Sequence, residues 1–320
     1  PLLEQKLQAT QISAGALEVA RERIRRSGAA KAVRELRIEQ RSLLDLAGEG
    51  PFDYINSVGV LHHLREPEAG LQALAGLLRP GGLLHLFLYA DGGRWEIHRT
   101  QRALARLAVG SGEEGLRLGR QLLAELPEGN RLRQHHERRW IVDTAADANF
   151  ADMYLHPQET SYNLERLLAF VASAGLEFAG FSNPEVWSPA RLLSGELLER
   201  AQGLSQLEQW SLVEELDPDI SHFEFFLSHG AVRKPDWGDD EVLLAARGET
   251  NRCLWGWPAT RLMGPDLMPL DVSEAGLNLM AAIESAPGVA IGQLPLDWPA
   301  AQRLAVARQL LKQRVLLPVL

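Results

Sequence analysis

Two adjacent histidines, His62 and His63, are the residues of this sequence that most directly suggest chemistry. Imidazole changes its charge near neutral pH, so either ring could act as a general base. Neighbouring side chains diverge, and no cysteine or third histidine stands at ligand spacing, so we predict no metal site. The alternative for each histidine is structural, with a ring hydrogen-bonded to backbone beneath a loop. Which function applies depends on the elements that position the pair.

The first ninety residues alternate strand and helix patterns. The predicted strands cover residues 8–12, 36–39, 53–58 and 83–89. Ser13 is a predicted N-cap for one helix, and Pro67 opens a second. The segment Arg79–Gly82 reads as a turn before the strongly apolar last strand. This alternation predicts a parallel α/β sheet.

The rest of the chain divides at a polar linker near residues 232–240. Before the linker, a helical stretch at about 91–160 and a helix at 163–174 accompany strands at 176–181 and 222–228. After it come two predicted helices, 273–285 and 299–313, and a strand at 315–320. We predict two domains, 1–230 and 236–320, the second a small α+β domain that loosely resembles a winged helix.

Composition limits the class of protein. The 320 residues are 46% apolar and include one cysteine, Cys253, which excludes an internal disulfide and favours a reducing cytoplasm. No run of about 18 apolar residues predicts a membrane span, so we expect no membrane partner. The formal net charge of −9 argues against a nucleic-acid partner.

Two motifs resemble those of class I S-adenosylmethionine-dependent methyltransferases. They are Phe52–Leu64 (FDYINSVGVLHHL) and Leu77–Leu83 (LLRPGGL), with Ala9–Arg21 (ATQISAGALEVAR) upstream. In that family the two motifs mark the fourth and fifth strands of the sheet. The resemblance covers residues 7–90 and implies a Rossmann-like α/β fold, S-adenosylmethionine as cofactor, and a small-molecule or protein methyl acceptor. The helical insertion at about 91–160 would choose the acceptor.

The resemblance also implies cofactor contacts at the carboxyl ends of three strands. The implied cofactor-binding residues are Gln11, Ile12, Ser42, Leu43, Ser57, Val58 and Gly59. Gln11 stands where the family usually binds the ribose hydroxyls with an acidic residue, and Ser42 replaces a common aspartate beside the adenine. Gly59 would allow close backbone approach to the methionine part. Each residue also has a structural alternative. Gln11 would be a polar residue at a strand end, Ser42 part of a surface turn, and Leu43 a core residue. Ser57, Val58 and Gly59 would form a tight strand-to-helix turn.

His62, His63 and Tyr89 would be the catalytic residues. In the family a paired histidine recurs near the floor of the active site, where one imidazole could orient or deprotonate the acceptor. Tyr89, at the end of the strand 83–89, would face the acceptor; packing is its alternative. Methyl transfer needs mainly in-line positioning and desolvation, so the reaction is predicted without its acceptor.

The Gly-rich loop that follows the first strand in this family has no counterpart before Ala9. Only Pro1–Gln8 precede that position, too few for the ~30 residues that a strand, loop and helix require. We therefore expect an amino-terminally truncated domain, short of its central strand and impaired in activity. Gln11 and Ser42, which replace acidic residues, also favour a second hypothesis, a catalytically silent methyltransferase-like binding or regulatory protein.

We predict that the 320-residue polypeptide binds S-adenosylmethionine weakly or not at all. The physical reason is the expected loss of the central strand and its loop, which would leave the cofactor site open. Calorimetric titration with S-adenosylmethionine measures this directly. Micromolar binding to this polypeptide would contradict the expectation.

Overall fold

The computed structural model describes residues 6–10, 14–28, 31, 33–232 and 235–320, with only the backbone for residues 6–10. Three positions that the sequence analysis singled out, Gln11, Ile12 and Ser13, lie outside the described residues. The chain consists of two compact units, Pro1–Val232 and Arg233–Leu320. Each unit is described by itself.

Helices and strands are numbered along the chain. The strands of the first unit are β1 Lys6–Thr10, β2 Glu35–Glu39, β3 Phe52–Val58, β4 Leu78–Ala90, β5 Ser161–Tyr162, β6 Glu177–Phe181 and β7 His222–Ser228. Its helices are α1 Ala14–Ser27, α2 Pro67–Leu77, α3 Trp95–Arg106, α4 Glu113–Glu125, α5 Arg131–His135, α6 Asp147–Phe150, α7 Leu164–Ser173, α8 Gly195–Gln202 and α9 Gln206–Leu216. The second unit contains α10 Asp240–Ala245, β8 Arg247–Thr250, β9 Arg261–Met263, β10 Pro269–Asp271, α11 Glu274–Ser285, α12 Ala300–Lys312 and β11 Leu316–Val319.

The main sheet of the first unit has the strand order β3-β4-β7-β6, with β5 beside the end of β4. β3 and β4 are parallel, whereas β7 runs antiparallel to both β4 and β6. β1 and β2 form a separate parallel pair, and within the described ranges no ladder joins that pair to β3. The predicted α/β class is confirmed, including the antiparallel pair that completes the sheet.

Alternation along β4 separates a core face from a second face. Leu84, Leu86 and Leu88 are fully buried, and they share a hydrophobic core with Phe223 and Phe225 of β7. Helices α2 and α7 contribute to the same core. The intervening residues of β4 are only partly buried, because successive side chains of a strand point to opposite faces. The last of these intervening residues is Tyr89.

The sequence-based turn at Arg79–Gly82 is wrong, because the structure places this segment inside β4. Gly81 adopts a φ of +73°, which glycine tolerates without a Cβ clash. The Gly81 N–H donates to the His229 carbonyl at 2.8 Å, and the pairing with β3 shifts register between Phe52 and Tyr54. Backbone hydrogen bonds to a neighbouring segment therefore keep the Pro-Gly-Gly sequence within the strand, as an irregularity of the ladder.

The segment between β4 and β5 is helical, as predicted, and has a small core of its own. Ile97 and Leu104 of α3 pack with Leu123 of α4, Phe150 and Tyr154. The chain then returns to the main sheet at β5 and continues into α7, whose N-cap Asn163 accepts a hydrogen bond from the Arg166 N–H at 2.9 Å. None of the described helices is long and apolar enough to cross a membrane.

The second unit is α+β, as predicted. β8 pairs antiparallel with β11, and β9 pairs antiparallel with β10. Leu279 and Met280 of α11 and Ala307 of α12 are fully buried in its separate core. Its resemblance to a winged helix stays a prediction.

The entry into the helical insertion depends on a close backbone approach at Gly93. A Cβ on Gly93 would lie 2.4 Å from the carbonyl carbon and oxygen of Ile220, whereas a Cβ on Gly92 would meet nothing within 4 Å. We predict that Gly93→Ala lowers the free energy of unfolding by about 1–3 kcal/mol, because backbone must move. Gly92→Ala is the control and should change it by less than about 0.5 kcal/mol in urea unfolding. Equal effects of the two substitutions would contradict this explanation.

Candidate active site

The candidate site lies where β3 and β4 end side by side. Because these strands are parallel neighbours, their carboxyl ends share one edge of the sheet, where ligands bind in open α/β folds. β3 is followed by Gly59, with a φ of +70°, and a Cβ there would meet nothing within 4 Å. A short turn, Leu61–His63, then carries the two histidines. The backbone after β3 thus leaves open space next to the histidine pair.

An aromatic stack closes this edge. The His62 ring is fully buried and lies on the Tyr89 ring, with centroids 3.8 Å apart and planes 27° apart. The Arg94 guanidinium carbon lies 3.5 Å from the centroid of the Tyr89 ring. His63 meets His62 edge-on at 4.3 Å. The ring of Tyr89 is therefore held by an imidazole and by a cation–π contact.

Arg94 is fixed by a buried carboxylate from the far end of the insertion. It donates to Glu159 through Nε at 3.1 Å and Nη2 at 2.8 Å, and the two side chains are only 4% and 5% exposed. His98 Nε2 lies 3.2 Å from Glu159 Oε1, and Gln101 donates to Oε2 at 3.4 Å. Burial would raise the pKa of Glu159, but the His98 hydrogen bond and the Arg94 charge outweigh it and lower the pKa to about 2. Glu159 is therefore a carboxylate at neutral pH.

The backbone of one residue, Gln158, sets the tautomers of two imidazoles through its carbonyl and its N–H. Its carbonyl can only accept, so His63 Nδ1, 3.2 Å away, must donate. Its N–H donates to His156 Nδ1 at 3.2 Å, and the two rings lie 4.0 Å apart. Neutral His63 therefore carries its lone pair on Nε2, which lies 3.7 Å from Asp152 Oδ1.

Burial keeps the rings of the stack uncharged. It lowers the pKa of His62 to about 3, with help from neighbouring His63, and it lowers the pKa of His63 against the effect of the Gln158 hydrogen bond. It also raises the pKa of Tyr89 to about 12, although Arg94 opposes this. At neutral pH the edge thus presents two neutral imidazoles and a protonated phenol, whose hydroxyl donates to Asp152 Oδ2 at 3.4 Å.

Comparison with known proteins gives the family and the fold of this chain. A family profile described as a methyltransferase domain matches residues 2–84. Uncharacterized protein syc1184_c of Synechococcus sp. is 43% identical over 320 residues, covering 98% of this chain and 76% of that protein. The chain belongs to the class I S-adenosylmethionine-dependent methyltransferase family.

Two solved structures share the fold of this methyltransferase. Both are PKMT2 from Rickettsia typhi, one of them in complex with AdoHcy, and both superpose with a TM-score of 0.63. The sequence of this chain is 16% identical to that of the AdoHcy complex and 17% identical to that of the other structure. The match covers 98% of this chain, which spans 66% of the PKMT2 chain.

The structure brings three of the predicted site residues, His62, His63 and Tyr89, into direct ring contact. Ser57 and Val58 end β3 at the same edge. Val58 is 49% exposed, whereas Ser57 is buried.

The second group of predicted residues follows β2. Ser42 caps the turn Leu43–Asp45, because its Oγ accepts from the Leu44 N–H at 3.2 Å. Leu43 is half-buried against the main core. The first group, Gln11 and Ile12, lies outside the described residues.

The polar atoms at this edge fit the methionine end of the cofactor of this methyltransferase family. Among the described residues, Ser57 Oγ and both ring nitrogens of His62 are buried without a hydrogen-bond partner. Buried polar groups are normally satisfied, so three such atoms near one strand edge fit a polar ligand. Gly59 has no side chain, so a ligand can approach its backbone closely.

Sequence reasoning missed Arg94, Asp152, His156 and Glu159. They come from a helix start and from the segment that joins the last insertion helix to β5, where no hydrophobic periodicity identifies a partner. The Thr160 N–H donates to the His62 carbonyl at 2.8 Å and brings this segment back to the histidines. The sequence signal was limited to the location of the insertion, between β4 and β5.

Replacing Glu159 with glutamine tests how much the buried Arg94–Glu159 pair contributes to the free energy of unfolding. Arg94 would stay buried without a counter-charge, so we predict a loss of about 3 kcal/mol in the free energy of unfolding at pH 7. In the wild type the pKa of Glu159 is depressed from 4.5 to about 2, so its stabilisation is complete above pH 4.5 and is lost as the pH falls toward 2. Urea unfolding across this range should show a weaker acid sensitivity for Glu159→Gln.

The control is Glu196→Gln on the surface. Glu196 pairs with Arg200 one helical turn away, and both side chains are 75% exposed. Solvent-exposed pairs of this kind contribute little, so the free energy of unfolding should change by less than about 0.5 kcal/mol. Similar losses in the two variants would mean that the Arg94–Glu159 pair has no special role.

Proposed function

We propose that this protein transfers a methyl group from S-adenosylmethionine to an acceptor at the edge formed by the ends of β3 and β4. The observation that supports this best is the stack of His62, Tyr89 and Arg94 beside the open backbone at Gly59. When bound, the cofactor supplies an electrophilic methyl group on a sulfonium. The stack would then form a rigid, partly desolvated wall against which the acceptor is positioned.

Within this proposal the predicted cofactor residues keep the roles that the resemblance implies. Ser57, Val58 and Gly59 would contact the methionine part, where Ser57 Oγ and the ring nitrogens of His62 offer polar atoms. Ser42 and Leu43 would lie by the adenine, and Gln11 with Ile12 by the ribose.

His63 is the candidate base of the reaction. Its Nε2 lone pair is free to accept a proton, because Nδ1 is occupied by the Gln158 carbonyl. Tyr89 keeps its proton at neutral pH and would orient the acceptor through its hydroxyl, and His62 would pack beneath it. The segment that carries Asp152 and His156 reaches this point from the insertion, which supports a role of residues 91–160 in acceptor choice.

A second candidate is a catalytically silent binding or regulatory protein. Ser42 favours it, because the Ser42 Oγ already accepts a hydrogen bond within its own turn, where an acidic residue would offer the adenine a charged acceptor. Formation of AdoHcy in the presence of a competent acceptor separates the two candidates, since a silent protein would bind the cofactor without turnover.

We place the methyltransferase domain at 1–230 and an accessory domain at 236–320, in a bacterial cytoplasmic protein. The single cysteine, Cys253, supports the cytoplasm as the compartment. The Synechococcus relative supports a bacterial source. The net charge of −9 supports a small-molecule or protein acceptor over nucleic acid.

Substituting Gly59 tests the cofactor site. Gly59 and Gly48 have φ values of +70° and +85°, and a Cβ on either would meet nothing within 4 Å. Alanine therefore imposes a similar backbone strain at both positions, but only at Gly59 does it intrude on the proposed methionine site. We predict that Gly59→Ala weakens S-adenosylmethionine binding at least ~10-fold, about 1.4 kcal/mol.

The measurement is calorimetric titration of the protein expressed from its natural reading frame, with AdoHcy formation as a second readout. Gly48→Ala is the matched control and should bind S-adenosylmethionine like the wild type. Equal binding by the two variants would place the cofactor elsewhere. Absence of binding to the wild type would overturn the proposed function itself.

A further inference from the structure

Two hydrogen-bond acceptors face each other beside the Tyr89 ring. His63 Nε2 and Asp152 Oδ1 lie 3.7 Å apart, too far for a direct hydrogen bond. Nε2 carries a lone pair, because the Gln158 carbonyl fixes the hydrogen on Nδ1. A ligand group that lies between these two acceptors and donates a hydrogen bond to each would satisfy both.

The surrounding groups define what that donor is. The Asp152 side chain is 53% exposed and its other oxygen accepts only a long hydrogen bond from Tyr89, at 3.4 Å. Arg94, the nearby cation, is engaged by buried Glu159. A carboxylate or phosphate ligand would be repelled by the Asp152 charge, and Arg94 would not offset this because its charge is paired with Glu159. A ligand with a positive charge and several N–H donors would be attracted to Asp152.

We propose that the methyl acceptor is a protonated alkyl amine, bound through N–H donation to Asp152 and to His63 Nε2. This inference rests on the proposed function and gives its acceptor class. It applies equally to an amine on a small molecule and to an amine on a protein side chain.

The transfer step follows from this geometry. His63 Nε2 takes a proton from the ammonium group, which leaves the nitrogen lone pair free to attack the methyl carbon. A carbon–nitrogen bond forms as the methyl–sulfur bond breaks, with the electron pair of that bond going to sulfur. The products are a methylammonium group and AdoHcy, and His63 releases its proton to solvent. Burial lowers the pKa of His63, so the ring is neutral before the step and holds the proton only briefly before solvent takes it.

Transfer of labelled methyl from S-adenosylmethionine to matched probes tests the inference on the natural protein. The probes are n-butylamine, poly-L-lysine, n-butanol and butyrate. We expect label on n-butylamine or poly-L-lysine, and at least ~100-fold less on n-butanol and butyrate; the better amine shows whether the source is small or macromolecular. Transfer to the alcohol or acid in preference to both amines would overturn the inference and leave the proposed function intact.

If methyl transfer is slow, binding of the amine can be measured instead. Titration with n-butylammonium should shift the NMR signals of the His63 ring, and n-butanol should not. If the protein binds S-adenosylmethionine but neither amine is methylated nor shifts His63, the amine assignment is wrong. If S-adenosylmethionine does not bind and no probe is methylated, the proposed function has failed instead.

Asp152→Asn separates a contact with the amine from a structural role. It should raise the KM for the amine at least ~10-fold and leave the Kd for S-adenosylmethionine unchanged, because Asp152 is assigned to the acceptor alone. Asp143→Asn is the control, since Asp143 is an exposed acid of the same insertion. An unchanged amine KM in Asp152→Asn would contradict the inference.

Discussion

The buried ion pair between Arg94 and Glu159 is the interaction on which the candidate site depends. Removing two charges from water is costly, and the pair persists because it is bidentate and because His98 and Gln101 satisfy the carboxylate further. The guanidinium also lies over the ring of Tyr89. A single electrostatic contact therefore connects the end of β4 with the end of the helical insertion.

That connection explains how a long insertion can reach the proposed active site. Gly93 lets the chain leave β4 against the backbone of Ile220, and the insertion then builds its own small core around Phe150. It returns through Thr160, which donates to the His62 carbonyl. Residues distant in sequence thus bury the imidazole of His62 and partly bury that of His63, and this burial keeps both rings neutral.

Much of the scaffold could be predicted from sequence, because it follows local patterns. Pro67 opens α2 and the alternating leucines of β4 form its core face. The histidine pair and Tyr89 were predicted as site residues and lie in contact, while their catalytic roles stay predictions. Arg94 and Glu159 could not be predicted as partners, since a buried pair separated by a helical insertion leaves no periodic signal. The Pro-Gly-Gly segment misled the turn prediction because tertiary hydrogen bonds override local turn preference.

In the proposed function, methyl transfer takes place at the edge where β3 and β4 end. A crystal structure of the natural protein with AdoHcy tests this most directly. We predict that the amino-acid part of AdoHcy lies over Gly59 with polar contacts to Ser57 or His62, and that its sulfur faces His63 and Tyr89. AdoHcy bound at another place, or a His62–Tyr89 stack shielded from its sulfur, would contradict the claim.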